Sequence, residues 1–209
     1  HIAFYYPKRT ETFKYGETTY HPIGEKHWKL HAILKIFLRR VTADQDLIKY
    51  LKVIDEVKPD IIHIHGTENP FGCIIPKTNI PVVISIQGCL TVIEHKFLGG
   101  YSPKDIVSYF TAFKGGFKQF IFHKSFSRIR REMRMYVKTE RKVLKIARHV
   151  VGRTDWDRRI LAVLSPRSTY YHCDEIMRDA FFKTRWECKY DKKLIIHSTI
   201  KNVPYKGFL

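Results

Sequence analysis

The chain has 209 residues, 44% of them hydrophobic, and 38 Lys and Arg against 20 Asp and Glu, for a formal net charge of +18. That apolar content excludes a disordered chain, and the length suffices for one full core, or for one domain and a fragment of a second. The cationic excess predicts an anionic partner, whether nucleic acid, phospholipid headgroups or a phosphorylated substrate, without choosing among them. Cys73, Cys89, Cys173 and Cys188 have no CxxC or zinc-knuckle spacing and are expected to be reduced thiols in a cytosolic protein. No apolar run approaches the roughly twenty residues that cross a bilayer, and no signal-peptide layout precedes the first strand, so the expectation is a soluble or peripheral protein.

The chain opens at His1, with no initiator Met and already inside the strand-like His1-Ile2-Ala3-Phe4-Tyr5-Tyr6. An upstream strand and helix are the expected missing neighbours; a first strand of this kind often carries a functional glycine loop. Tyr15-Gly16-Glu17 is a turn signal before an extended piece at 18–23, which predicts a small hairpin or strand pair. Apolar residues at helical spacing predict helices over 26–39 (Trp28, Leu30, Ile33, Leu34, Phe37, Leu38) and 44–57 (Leu47, Leu51, Ile54). Strands are predicted at 61–64 and 80–86, joined through Pro70-Phe71-Gly72; Pro81 sits at the start of the second, where a missing amide is tolerated. Residues 94–124, rich in Phe and Lys, read as irregular or partly helical, and 128–148 as one long basic helix carrying Ile129, Met133, Val137, Val143, Leu144 and Ile146.

A strand at 149–152 leads into a helix capped by Thr154-Asp155, running through Leu164 and ended by Ser165-Pro166. A strand at 169–171 follows, then a helix through Phe182 for which Asp174-Glu175 would be the cap. Composition shifts after Trp186. A domain boundary is therefore expected near Tyr190, with 1–190 as one domain and 191–209 as a linker plus the opening strand, 194–197, and loop of a second.

Four apolar runs end abruptly in small or hydrogen-bonding residues: at His65-Gly66-Thr67-Glu68, at Gln87-Gly88, at Gly152-Arg153-Thr154 and at His172-Cys173-Asp174-Glu175. Short β-branched runs with such boundaries read as buried strands, and ligands of open parallel sheets bind just past their carboxyl ends. The expected fold is therefore α/β, a Rossmann-like, mostly parallel sheet with flanking helices. Its polar strand tips should share one rim.

Each candidate has two readings. His65 abuts Gly66, where backbone can approach a ligand, or is a polar strand end satisfied by backbone. His63 shares its face by the period of two, yet no third and fourth ligand follow at recognisable spacing, and no metal is expected. Glu68 hydrogen-bonds a ligand or caps the next turn; Gln87 and Gly88 face a ligand or only turn the chain. Arg153 and Thr154 join a cation to a helix N-terminus, an anion site, or are a surface charge and an N-cap. Asp157, Glu175 and Arg178 read as ordinary ion pairs, and Trp156 and Trp186 as core.

Three stretches carry a family resemblance: Lys58-Pro59-Asp60-Ile61-Ile62-His63-Ile64-His65-Gly66-Thr67-Glu68, Pro81-Val82-Val83-Ile84-Ser85-Ile86-Gln87-Gly88 and Ala147-Arg148-His149-Val150-Val151-Gly152-Arg153-Thr154-Asp155-Trp156-Asp157. With Tyr171-His172-Cys173-Asp174-Glu175, a Phe at 181 or 182, and the tail Leu194-Ile195-Ile196-His197 through Lys206-Gly207, the chain resembles the N-terminal half of a family 4 glycosyltransferase of the GT-B fold, especially bacterial surface-polysaccharide members. The resemblance implies a retaining transferase that moves a sugar from a nucleotide-diphosphate donor to a glycan or lipid-linked acceptor. It needs no cofactor or metal. His65, Gly66, Thr67, Glu68, Gln87, Gly88, Arg153, Thr154, His172 and Glu175 would then serve the acceptor side, and Lys206 and Gly207 the donor diphosphate. Gln87 stands where many relatives have a His, and an amide cannot exchange a proton near neutral pH; no catalytic base is assigned. The acidic E-x7-E donor motif belongs to the family's second domain and would lie beyond Leu209, so this piece alone is expected to be inactive.

Aromatic residues interleaved with Lys and Arg over 110–148 suit an anionic membrane interface, with Phe113, Phe117, Phe120, Phe122, Phe126, Arg130 and Arg131 as contacts. A solvated basic helix with its Phe residues turned inward is the other reading. The family context implies a cytoplasmic protein, peripheral on the inner face of the membrane, partnered by its own C-terminal domain and by no nucleic acid. The alternative is a basic α/β nucleic-acid-binding module, although no RNP, helix-turn-helix or Walker signature is present.

Overall fold

The left-handed Gly16 shows how closely local sequence sets the first turn. Strand β1 (Ile2–Tyr5) is followed by β2 (Phe13–Tyr15) and β3 (Thr18–Ile23). Gly16, the first of two residues linking β2 to β3, has φ +56, as a type II′ hairpin turn requires. The expected hairpin is present, and Phe13 stacks on Tyr20 with ring centroids 4.9 Å apart. β3 also pairs parallel with β1, giving a three-stranded sheet in the order β1-β3-β2.

The computed structural model describes residues 1–6, 11–23, 42–97, 99, 102, 104 and 126–185, without the side chains of 42–46, 126–130 and 132. The helix expected at 26–39, Phe113, Phe117, Phe120, Phe122, Trp186, the boundary near Tyr190, the strand at 194–197, Lys206 and Gly207 lie outside the described residues, as do the side chains of Phe126 and Arg130. The chain divides into two compact units, His1–Gly88 with Lys138–His172, and Cys89–Val137 with Cys173–Leu209.

In the first unit, helix α1 (Thr42–Val57) ends at Lys58, whose left-handed φ of 48 stops the helix just before Pro59. Four strands then follow: β4 (Ile62–His65), β5 (Val82–Ser85), β6 (His149–Gly152) and β7 (Thr169–His172). They form an all-parallel sheet in the order β4-β5-β6-β7. The connections are a 3-10 helix (Pro70–Lys77) between β4 and β5, and a helix between β6 and β7 (Asp155–Leu164) that becomes α4 in chain order. Between β5 and β6 come α2 (Leu90–His95) and the long basic helix α3 (Phe126–Ile146), expected at 128–148.

Because each strand joins its next neighbour in one direction, right-handed crossovers all return over the same face. The core matches that rule: Ile64, Val82, Ile84, Ile86 and Val150 from the sheet cluster with Ile74, Val143, Leu144, Ala147 and Leu161 from the connections, and with Tyr50 of α1. Alternate residues point to the opposite face, where His63, His65, Thr169 and Tyr171 are exposed.

Two expectations fail on packing direction. Trp156 is not core but 47% exposed, because α4 turns its neighbour Asp157, together with Leu161, inward and successive helical residues diverge by about 100°. Asp174 and Glu175 do not cap the last helix, α5 (Asp179–Lys183); Arg178 holds the cap position in an extended conformation with no side-chain cap. The chain at 173–178 is irregular, which leaves both carboxylates too far upstream for the first-turn amides.

The second unit is described by α2, the first part of α3, α5 and the residues around them. Arg134 Nε donates to Glu94 Oε1 at 2.9 Å, Phe97 and Val137 are buried, and the Arg178 guanidinium stands 5.8 Å from the Phe181 ring centroid. Among the described residues, no helix is long and apolar enough to cross a membrane.

Candidate functional site at the strand ends

The register fixes the rim. His65 pairs with Ser85, Ser85 with Val151, and Gly152 with His172, so the four carboxyl ends lie on one edge of a sheet about 14 Å across, at ordinary strand spacing. The ladder extends one residue beyond the strands, because Gly66 N donates to Ser85 O at 2.8 Å and Ile86 N to Val151 O at 2.9 Å. The structure therefore brings together His65-Gly66-Thr67-Glu68, Gln87-Gly88, Arg153-Thr154 and His172. Glu175 belongs to the second unit, where it is exposed.

At the end of β4, Gly66 adopts a left-handed φ of +84. Its missing side chain leaves room for the Glu68 carboxylate, which folds back over the Gly66 Cα where any Cβ would collide with it. Thr67 is turned inward, 4% exposed, and its hydroxyl donates to Glu140 Oε1 of α3 at 2.7 Å. His65 and Glu68 remain exposed. A ring nitrogen and a carboxylate beside a glycine backbone form a set that can hydrogen-bond hydroxyl groups.

His63 Nε2 lies 2.6 Å from Ser85 Oγ, and its ring meets that of His65 edge-on at 6.0 Å. Partial desolvation of its otherwise exposed ring, and then the like charge of His65, hold its pKa below the ordinary imidazole value. The folded state consequently binds the His63 proton less readily than the unfolded chain does. Stability should be retained above pH 6.5, the unfolded value, and fall as the solution is acidified through the range below it. In His63→Gln, denaturation midpoints between pH 7 and 5 should show a shallower fall than in the parent; parallel curves would remove His63 from the pH response. Among the described residues, no group of three or more His, Cys, Asp or Glu could hold a metal ion.

At the end of β6 the helix terminus is already occupied. Thr154 and Asp157 form a reciprocal capping box: Asp157 N donates to Thr154 Oγ1 at 3.1 Å, and Asp157 Oδ2 accepts from the amides of Thr154 and Arg153, both at 2.9 Å. Asp157 is thus a cap rather than the ion-pair partner expected from sequence, because its inward direction aims the carboxylate at backbone. The internal carboxylate takes amides that an external anion would have used. Gly152 permits this close corner, since a Cβ there would stand 2.7 Å from Asp157 Cβ and 2.9 Å from Tyr170 Cε2. Tyr170 OH closes it by donating to Thr154 O at 3.1 Å.

No family model matches the chain, and no curated protein and no solved structure matches it either.

Sequence reasoning missed Ser85, Tyr170 and above all Glu140. Ser85 was legible only as part of an apolar run. Glu140 did leave a signal, since Val137, Glu140, Val143, Leu144 and Ala147 share one helical face, and all are buried.

Proposed function

We infer that the chain is the acceptor-side domain of a retaining glycosyltransferase using a nucleotide-diphosphate sugar, with a glycan or lipid-linked acceptor. The single observation that carries this reading is the delivery of His65, Glu68, Gln87 and Arg153 to one edge by the first three of four parallel strands in unbroken register. These groups can hydrogen-bond hydroxyls, and they lie past the carboxyl ends of parallel strands, where ligands of open α/β sheets bind. In the transfer, the bond from the sugar C1 to the leaving diphosphate breaks, a bond from C1 to the acceptor oxygen forms, and the hydroxyl proton passes to the diphosphate. This rim would hold the acceptor hydroxyl for front-face attack, a contribution of position and electrostatics rather than of a covalent intermediate.

An anionic surface is the further partner in this reading. Arg131, Arg134, Lys138, Arg141, Lys142 and Lys145 are all exposed on α3, at separations of three or four residues that set them along one side of the helix. Such a row suits phosphate-bearing headgroups.

The test is transfer of labelled sugar by the chain joined to a donor-binding domain, with purified lipid-linked glycans as acceptors. His65→Ala and Glu68→Gln should each lower kcat/KM for the acceptor by about 10- to 100-fold, as expected for one or two hydrogen bonds to a ligand. Unchanged acceptor kinetics in both variants, or robust transfer by this chain alone, would refute the reading.

A further inference from the structure

Helix α3 holds eight Lys and Arg residues and two acids, Glu132 and Glu140. On so cationic a helix a carboxylate would ordinarily be a solvated counter-charge, yet Glu140 is only 1% exposed. It lies on the buried face with Val137, Val143, Leu144 and Ala147. A carboxylate withdrawn from water in this way persists only where polar partners meet it. One such partner is the hydroxyl of Thr67, 73 positions away in sequence, at 2.7 Å.

Thr67 stands between two residues of the rim. On one side is Gly66, with φ +84 and its amide on Ser85 O; on the other is Glu68, whose carboxylate lies back over the Gly66 Cα. Neither Thr67 nor Glu140 has appreciable exposed surface, so neither side chain can meet a ligand in solution. Their hydrogen bond ties the loop that leaves β4 to α3, with Gly66 and Thr67 buried and Glu68 exposed.

We propose that Glu140 is a positioning residue: through Thr67 it sets the conformation of the loop 66–68 and so the place of the Glu68 carboxylate on the rim. Its functional meaning rests on the acceptor-side reading above; its structural content does not. An unclamped loop would keep the left-handed Gly66 but lose the internal anchor that selects one arrangement of residues 67 and 68. The charge makes the clamp strong, since hydrogen bonds to a carboxylate exceed neutral ones.

The experiment compares four variants of this chain by amide NMR and native-state hydrogen exchange. Thr67→Val removes the donor with little change of shape, Thr67→Ser restores it, and Glu140→Gln keeps shape and an acceptor but removes the charge. Leu144→Ala, one turn along α3 from Glu140, is the control that destabilises the same buried helix face. Thr67→Val should shift the Gly66 and Glu68 amide resonances and speed exchange of the Gly66 amide about tenfold beyond the change in the control. Thr67→Ser should return both to parent values, and Glu140→Gln should shift the same resonances by less. Loop resonances that stay at parent positions, or that move only as Leu144→Ala moves them, would overturn the proposal. No sugar enters this measurement. A displaced loop with unchanged acceptor kinetics in both His65→Ala and Glu68→Gln would instead sink the acceptor reading and leave the clamp standing.

Discussion

Ile84→Ala should lower the unfolding free energy by about 2–5 kcal/mol, the range for truncating a large aliphatic side chain in a close-packed interior. Ile84 is 0% exposed in β5, flanked in register by Ile64 of β4 and Val150 of β6, which are 5% and 0% exposed. Ile64, Val82, Ile86, Val143, Leu144 and Leu161 belong to the same cluster, so the neighbours around the lost methyl groups are held by several elements and cannot easily collapse inward. Against a typical total of about 5–15 kcal/mol, such a loss is a large share. Urea titration should show a lower midpoint with an unchanged slope. Ile48→Ala, at a position 66% exposed on α1, should move the midpoint little, by about 0.5 kcal/mol or less. Equal shifts in the two variants would mean that the β4-β5-β6 row is not the centre of the core.

Gly66→Ala should separate stability from site geometry. The residue sits at φ +84, so any side chain incurs about 1–2 kcal/mol of left-handed strain. The added Cβ also meets the Glu68 carboxylate. That carboxylate is the free end of a flexible side chain, and it can swing away with little further loss of stability. Gly16 supplies the comparison, for it has φ +56 with open space around its would-be Cβ. Gly16→Ala and Gly66→Ala should therefore lose similar stability in chemical denaturation. Only the second should displace Glu68 and, on the acceptor-side reading, raise the acceptor KM in the active protein by about tenfold. Equal acceptor kinetics in the two variants would detach Glu68 from binding.

The capping box shows where a local pattern is readable and where it stops. Thr154 as the N-cap was legible because a hydroxyl before an apolar helix satisfies an amide that has no partner within the helix. The reciprocal part played by Asp157 was not, because an acid on a basic chain also has ion-pair partners, and the choice between backbone and cation depends on which way the side chain faces. The same limit explains His63, whose face was given by the period of two but whose contact with Ser85 depends on the β4-β5 register.

The sequence by itself determined the strands of this protein and helices α1, α3 and α4, while α2 and the 3-10 helix at Pro70–Lys77 were not marked. Short β-branched runs between Gly, Pro and polar residues marked β4 to β7, and apolar spacing marked α1 and α3, since propensity and periodicity are carried by residues within a few positions of one another. Only the tertiary structure decided that β1, β2 and β3 form a sheet of their own in the described residues, that Trp156 faces outward, and that Glu140 is buried against Thr67. Strand pairing and burial depend on which surfaces meet after the chain has closed long loops. The helical period of α3 marks the face on which Glu140 lies, but its pairing with Thr67 across 73 positions is written in neither segment alone.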